Sequence, residues 1–221
     1  MPDITVVCVL KSGRFSQSAG KEPYTPADVE RLMNMVAKNL GDHRFVCFSD
    51  VDVPCERIPL KHGWPGWWSK IELFSWVFDG PVLYFDLDTV ICGDLTELAE
   101  YPHKFTMLKD LGKRDTPASG MMAWNGDYSH IYLTFRSDPS FYMTMYSGSL
   151  NLGDQAFIAK NQKPDCLWQQ IFPNRIFSYK FHLLGKQKPD EAKVVCFHGE
   201  PKGSGSSGWV RDIWSNANGS R

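Results

Sequence analysis

The central motif of the sequence is Pro81-Val82-Leu83-Tyr84-Phe85-Asp86-Leu87-Asp88-Thr89-Val90. Its apolar residues at 82–85 follow a turn signal and predict a short buried strand. The strand delivers Asp86 and Asp88 at its carboxyl end, where neighbouring carboxylates lose water, a loss that is costly unless a cation compensates it. Carboxylate oxygens in a partly open site suit Mg²⁺ or Mn²⁺, above all where substrate phosphates complete the coordination. The motif therefore predicts a divalent-metal site; the alternative is a strand-end turn with two solvated aspartates.

Strand and helix patterns alternate on both sides of this motif. An apolar run at 4–10 predicts a first strand, and a helix then runs from its cap, Thr25, to Gly41. The other predicted elements are strands at 44–49, 105–108, 121–124, 178–184 and 193–197, and helices at about 69–78, 127–136 and 154–161. This alternation is typical of an α/β fold with a mostly parallel central sheet flanked by helices.

Polar side chains follow several of the predicted strands. They are Lys11, Asp50, Asp86, Asp88 and His198. Ligands of open α/β sheets bind beyond the carboxyl ends of the strands, so we expect these side chains to share one crevice.

Composition narrows the class of function. The 221 residues are enough for one domain with a full core. Lysine and arginine number 24 against 25 aspartates and glutamates, and the net charge of −1 argues against a nucleic-acid partner. No apolar stretch is long enough to span a bilayer, and we expect no signal peptide. These features predict a soluble cytoplasmic protein without a membrane span.

Five segments together resemble a known family. In chain order they are Ser69-Lys70-Ile71-Glu72-Leu73-Phe74, the motif at 81–90, Ser119-Gly120-Met121-Met122, Gly153-Asp154-Gln155, and Val194-Val195-Cys196-Phe197-His198-Gly199-Glu200-Pro201-Lys202. They resemble the core of the GT-A glycosyltransferases of the glycogenin-like type, over most of residues 3–202. The resemblance implies a GT-A domain at 1–202 that transfers a sugar from a nucleotide-diphosphate donor, UDP by preference, with retention of configuration.

The resemblance also implies roles for individual residues. Asp86 and Asp88 would hold Mn²⁺, or Mg²⁺, against the donor diphosphate, where the ion offsets charge on the leaving group. Lys70 and Lys202 would bring positive charge to the donor, and Asp154 and Gln155 would be the catalytic pair. The expected donor- and nucleotide-binding residues are Val9, Lys11, Ser12, Tyr24, Asp50, Lys70, Asp86, Leu87, Asp88, Ser119, Gly120, Gly199 and Lys202.

The last segment departs from the family pattern. Cys196 stands where the family has a histidine ligand, and His198 lies two residues later. A shift of two along a strand returns to the same face about 6–7 Å away, so we predict His198 as the third metal ligand. The family's Pro-Trp after Lys202 is replaced by a Gly/Ser run. We therefore predict that 203–221 is a flexible Gly/Ser loop and C-terminal segment that closes over or flanks the site.

The acceptor is not specified by the sequence and is a saccharide, a lipid-linked sugar or a protein. The aromatic loop Trp64–Trp68 suits stacking on an acceptor sugar, or else packs as a lid under the sheet edge. The sequence specifies no oligomeric state.

Other functions compete with this interpretation. A haloacid-dehalogenase-type phosphatase would use Asp86 as nucleophile and Asp88 as acid/base, although that motif normally follows the first strand. A non-catalytic sugar-binding module would explain the tryptophans but not the Asp, His and Lys set. A nucleotidyltransferase would share the metal and nucleotide chemistry.

Overall fold

A seven-stranded sheet forms the centre of the computed structural model, which describes residues 4–13, 23–112, 115–147 and 152–217. Its strands are β1 (Thr5–Leu10), β2 (Arg44–Ser49), β3 (Glu56–Pro59), β4 (Val82–Phe85), β6 (Phe105–Lys109), β7 (Pro117–Trp124) and β8 (Cys166–Leu167). A second sheet of three strands contains β5 (Val90–Ile91), β9 (Ile176–Ser178) and β10 (Val194–Cys196). The α-helices are α1 (Pro26–Asn39), α2 (Thr96–Glu100), α3 (Ser129–Ser137), α4 (Pro139–Met145), α5 (Gly153–Asn161), α6 (Trp168–Ile171) and α7 (Gly208–Asn216).

The strand order of the main sheet is β3-β2-β1-β4-β7-β6-β8. β1 lies between β2 and β4 and is parallel to both, with Val6 opposite Phe45 on one side and Leu83 on the other. β7 is antiparallel to both of its neighbours, and the remaining pairs are parallel. The predicted α/β fold with a mostly parallel central sheet is confirmed.

Both faces of the main sheet are covered. On β1, Val6 and Cys8 belong to an apolar cluster that includes residues of α1 and the small sheet. Val7 belongs to the opposite cluster, which includes residues of α3 and α5. A strand buried on both faces is apolar at successive positions rather than at alternate ones. This explains why the first strand is a continuous apolar run.

Two predicted elements differ from the structure. The helix expected at 69–78 is a 3₁₀-helix, Gly66–Ser75. The strand expected at 178–184 is wrong, because β9 ends at Ser178 and a π-helical turn, Tyr179–Leu183, follows. The Ser178 hydroxyl oxygen accepts the Phe181 N–H and so caps that turn. A short apolar run does not distinguish a strand from a helical turn by periodicity alone.

The Gly/Ser run has secondary structure in the part of it that the structure describes. Gly203–Gly205 forms a 3₁₀-turn and α7 follows. Gly203 lies against the Trp214 ring, and the Asn34 side-chain amide donates to the Ala217 carbonyl. These contacts hold the described part of the segment against the domain, and its flexibility stays a prediction. Residues 218–221 of the predicted segment lie outside the described residues, and the domain boundary at 202 stays a prediction.

None of the helices in the described ranges has the length and apolar character that crossing a bilayer requires.

Gly203→Ala tests the packing of α7. An added Cβ would lie 2.2 Å from a Trp214 ring carbon, so overpacking should lower the free energy of unfolding by about 1–3 kcal/mol in urea denaturation. Gly41→Ala is the matched control, because nothing lies within 4 Å of its Cβ position and no stability should be lost. Equal effects of the two substitutions would contradict the packing of Gly203 on Trp214.

Candidate active site

The motif Asp86-Leu87-Asp88 directly follows β4 of the main sheet and lines a cleft at the end of that strand. Asp86 follows β4, and its backbone N–H donates to the Gly120 carbonyl of β7 over 2.9 Å. Because β4 pairs with β7, Ser119 and Gly120 lie beside the Asp86 side chain. A Cβ on Gly120 would come within 3.3 Å of Asp86 Oδ2, so this position favours glycine. The strand pairing therefore unites two segments that are more than thirty residues apart.

Lys70 is the buried centre of the site. Its Nζ lies 3.0 Å from Asp86 Oδ1, 3.1 Å from Asp154 Oδ2 and 3.0 Å from Ser119 Oγ. The Ser119 hydroxyl in turn donates to Asp154 Oδ2 over 2.7 Å. Burial opposes the charge on Lys70, but the Asp154 and Asp86 carboxylates outweigh it and raise the pKa of the ammonium. Lys70 is therefore a fixed positive charge that joins two carboxylates.

The two carboxylates differ in their surroundings. Asp154 is the second residue of α5 and is 6% exposed; burial raises its pKa, and the Lys70 ammonium and Ser119 hydroxyl oppose that effect. Asp86 also accepts the Tyr84 hydroxyl on Oδ1. Burial and the Asp86 charge raise the pKa of Tyr84, which stays a donor. Both contacts of Asp86 fall on Oδ1, and Oδ2 is the oxygen that faces Gly120.

Asp88 has different partners, from two distant segments. It is 4% exposed, and its Oδ2 accepts the Tyr24 hydroxyl over 2.8 Å and the Lys202 ammonium. Lys202 Nζ also lies 5.6 Å from the centre of the Tyr24 ring. Burial, and then the Asp88 charge, raise the pKa of Tyr24. The second carboxylate of the motif is thus bound by a lysine of this chain.

His198 contacts the end of β9 and the π-helical turn that follows it. Its Nε2 is 2.7 Å from Ser178 Oγ, and its ring lies 4.9 Å from the Phe181 ring. Burial, followed by the charge of Lys180, lowers the pKa of His198, which favours the neutral imidazole. Nε2 is bonded to Ser178, and Nδ1 has no hydrogen-bond partner within the described ranges, so Nδ1 is the nitrogen available to a ligand. Burial raises the pKa of the Cys196 thiol.

The predicted metal set is not assembled in this arrangement. Two carboxylates and an imidazole suit Mn²⁺ or Mg²⁺ chemically. Within the described ranges, however, no three His, Cys, Asp or Glu side chains converge on one metal position. Asp88 binds Lys202 and Tyr24 instead, and His198 Nε2 binds Ser178. The residues fit a divalent ion in their chemistry but not in their present placement, and the metal stays a prediction.

Two adjoining cavities meet at these residues. One has a volume of about 690 Å³ and the other about 430 Å³. Their shared lining residues are Trp67, Lys70, Asp86, Phe197 and His198. The larger cavity is also lined by the predicted residues Val9, Lys11, Tyr24, Leu87, Asp88, Gly199 and Lys202. The smaller cavity is also lined by Ser119, Gly120, Asp154 and Gln155. Seven of the expected donor residues thus line the larger cavity alone, whereas Ser119, Gly120 and the expected catalytic pair line the smaller one.

Ser12 and Asp50 line neither cavity. Asp50 binds the Lys11 ammonium, and it accepts the Ser12 N–H over 2.8 Å and the Ser12 hydroxyl over 2.7 Å. Burial opposes the Asp50 charge, but these donors outweigh it and lower the pKa of Asp50 to about 2. The structure therefore brings Ser12 and Asp50 to each other and to Lys11, beside the larger cavity rather than in it.

The aromatic loop divides into two parts. Trp64 and Trp68 are buried against Phe135, with ring centres 4.7 and 5.2 Å away. Trp67 instead lines both cavities and lies against Gly153, where a Cβ would come within 2.6 Å of the indole nitrogen. Gly153 has a φ of +59°, so glycine is favoured there on two grounds. Only Trp67, of these three tryptophans, is positioned to touch a ligand.

Several lining residues were not identified from the sequence, among them Arg31, Trp214, Asp110 and Tyr146. Arg31 and Trp214 line the larger cavity, with the guanidinium 4.2 Å from the Trp214 ring centre. Asp110 and Tyr146 line the smaller one. Arg31 could have been found from the sequence, because an arginine on the apolar side of a predicted helix is unusual. Trp214 gave no such signal, because its position depends on how α7 packs.

Comparisons with solved structures identify similar folds. The glycosyltransferase GlyE of Streptococcus pneumoniae TIGR4 matches with a TM-score of 0.71 and 15% identity, over 100% of this chain and 61% of that one. The galactosyltransferase LgtC, in complex with donor and acceptor sugar analogues, matches with a TM-score of 0.63 and 12% identity, over 97% and 95%. The bifunctional glycosyltransferase WbbM matches with a TM-score of 0.61 and 10% identity, over 98% and 50%.

The sequence matches no protein-family model and no curated protein. At such low identities the similarity establishes the fold, and the chain has the GT-A fold of these glycosyltransferases. The chain spans 61% of the length of GlyE.

Lys70→Met tests the buried charge cluster. Removing the ammonium leaves Asp86 and Asp154 without their shared counter-charge, so the free energy of unfolding should fall by about 3–5 kcal/mol. The double variant Lys70→Met/Asp154→Asn should recover part of this loss in urea denaturation, since one carboxylate is then neutral. Lys11→Met, which breaks the more exposed pair with Asp50, should cost under about 1 kcal/mol. Full additivity of the two buried substitutions would contradict the coupling.

Proposed function

We propose that this chain is a glycosyltransferase that moves a sugar from a nucleotide-diphosphate donor to an acceptor. The observation that carries the proposal is the Lys70 ammonium between Asp86 and Asp154, at the junction of two cavities. An enzyme that transfers a group between two substrates needs adjoining binding sites for them. It also needs fixed charges at the place where the bond to the transferred group breaks and re-forms. The larger cavity falls within the range of small-molecule sites.

The larger cavity is the proposed donor site. Lys70 and Lys202 both line it, and a diphosphate is the anion that two such ammonium groups would bind. We propose UDP as the nucleotide, on the family resemblance of the motifs. We also propose that Mn²⁺ or Mg²⁺ joins the donor complex at Asp86 and Asp88, with His198 as the further ligand, once Asp88 has been released from Lys202.

The smaller cavity is the proposed site of sugar transfer. Asp154 Oδ2 is committed to Lys70 and Ser119, whereas Asp154 Oδ1 has no bonded partner in the described part of the chain. That oxygen and the Gln155 side chain are proposed to hold the donor sugar and to stabilise positive charge developing on its ring. Ser119 fixes the orientation of Asp154, and retention of configuration is proposed on the resemblance.

The acceptor is proposed to enter along Trp67. The indole lines both cavities, and an aromatic face suits the apolar face of a sugar ring. A saccharide, a lipid-linked sugar and a sugar-bearing protein all present such a ring. Trp67 is therefore proposed to recognise the terminal sugar of the acceptor, whether a saccharide, a lipid or a protein carries that sugar.

The first test is thermal unfolding with UDP, GDP, ADP or CMP, each with and without Mn²⁺. A ligand at one hundred times its Kd stabilises by about 2.7 kcal/mol, which is a measurable rise in Tm. We expect UDP with Mn²⁺ to stabilise the wild-type protein, and Asp88→Asn to abolish this shift while the ligand-free protein stays folded. Release of phosphate from simple phosphate esters, without a nucleotide shift, would favour the phosphatase alternative instead.

His198 and Cys196 can be separated by substitution. If His198 replaces the family's histidine ligand, His198→Ala should weaken Mn²⁺ binding in the presence of UDP far more than Cys196→Ala does. The buried Cys196 thiol, with its raised pKa, is a poor ligand for a hard cation. Calorimetric titration of Mn²⁺ into each variant with saturating UDP measures the order, and the reverse order would mean that Cys196 is the ligand.

A further inference from the structure

We infer that Lys202 and a divalent cation exchange at Asp88, so that cation and nucleotide diphosphate bind with strong positive coupling. The inference rests on the proposed function. It adds that the contact between Lys202 and Asp88 hinders binding of the cation when no nucleotide is present. It follows from the mismatch between the chemistry of the carboxylates and their present partners.

Asp88 is occupied by groups of this chain. Its side chain is buried, and one oxygen accepts both the Lys202 ammonium and the Tyr24 hydroxyl. Lys202 comes from the loop after β10, and Tyr24 from the segment before α1. The ammonium supplies at Asp88 the positive charge that the sequence assigned to a metal ion.

A cation that enters alone must break this pair. The Lys202 side chain is 28% exposed and that of Asp88 is 6% exposed, so the pair is largely shielded from water. The entering ion would take the carboxylate and leave a second positive charge, the released ammonium, close beside it. Like charges in a poorly solvated cleft repel, so binding of the cation alone is weakened.

A nucleotide diphosphate changes this balance. Its phosphates offer the released Lys202 ammonium a new anionic partner, and the freed carboxylate becomes available to the cation. Breaking the pair of Lys202 and Asp88 thus frees the ammonium for the diphosphate and the carboxylate for the cation. Coupling between two ligands is reciprocal, so the cation must strengthen nucleotide binding by the same factor by which the nucleotide strengthens cation binding.

The same cavity contains a natural control. Lys11 also lines it, but its ammonium binds Asp50, which lies outside the two cavities. Removing Lys11 therefore eliminates a lysine of the cavity without freeing Asp88. Tyr24→Phe provides a graded comparison, because it removes one donor from Asp88 and leaves the Lys202 ammonium in place.

The experiment measures binding, not turnover. Mn²⁺ is titrated at pH 8 into the wild type, Lys202→Met, Lys11→Met and Tyr24→Phe, without and with saturating UDP. The electron paramagnetic resonance signal of free Mn²⁺ reports the Kd, corrected for Mn²⁺ bound to UDP in buffer. Calorimetry of UDP with and without Mn²⁺ checks reciprocity, and circular dichroism checks the fold. Lys202→Gln is the second variant if Lys202→Met does not fold.

For wild type we expect weak Mn²⁺ binding alone and much tighter binding with UDP. Lys202→Met should tighten Mn²⁺ binding in the absence of UDP by at least about fivefold and reduce the coupling factor by a similar amount. It should also weaken UDP binding. Lys11→Met should leave the Kd for Mn²⁺ alone within about twofold of wild type, and Tyr24→Phe should fall between the two.

Two outcomes overturn the inference and are distinguishable. If wild type binds UDP only with Mn²⁺, but Lys202→Met changes neither the Kd for Mn²⁺ alone nor the coupling, the exchange at Asp88 is wrong and the proposed function stands. If wild type binds none of UDP, GDP and ADP, with or without Mn²⁺, the proposed function fails and the inference fails with it.

Discussion

The buried ammonium of Lys70 is the constraint on which the arrangement of the cleft depends. Asp86 and Asp154 come from the end of β4 and the start of α5, and both side chains lie near Lys70 within 3.1 Å. Two carboxylates this close to one another, one of them buried, repel unless a cation joins them. The 3₁₀-helix that carries Lys70 must therefore be held firmly. The packing of Trp64 and Trp68 against Phe135 provides that support.

The lysines of the larger cavity are all paired with carboxylates. Every lysine that lines the larger cavity is engaged by a carboxylate: Lys70 by Asp86 and Asp154, Lys202 by Asp88, and Lys11 by Asp50. An anionic ligand thus finds cations whose charge is already balanced, and its binding is an exchange of partners. Selectivity then depends on how many pairs a ligand can replace at once, which favours a polyvalent anion over a simple one.

Much of the fold was accessible from the sequence, because its signals are local. The apolar run before Asp86 and the capped pattern of α1 correctly located a central strand and a helix. The family resemblance assigned Lys70, Ser119 and Asp154 to the same donor site, but the contacts among these three side chains were visible only in the structure. What the sequence did not show depends on distant packing: the contact of Arg31 with Trp214, that of Gly203 with Trp214, and the different environments of Trp67 and Trp68 are set by elements far apart in the chain.

The small sheet has a consequence for the geometry of the whole cleft. β5 begins two residues after Asp88, and β10 ends shortly before Lys202, and the two strands pair with Val90 opposite Val195. This pairing fixes the distance between the segment of Asp88 and that of Lys202, two residues that are 114 positions apart in the chain. A slip of one residue would turn every side chain of β10 to the other face. The spacing between Val195 and Lys202 is therefore as much a determinant of the site as the lysine itself.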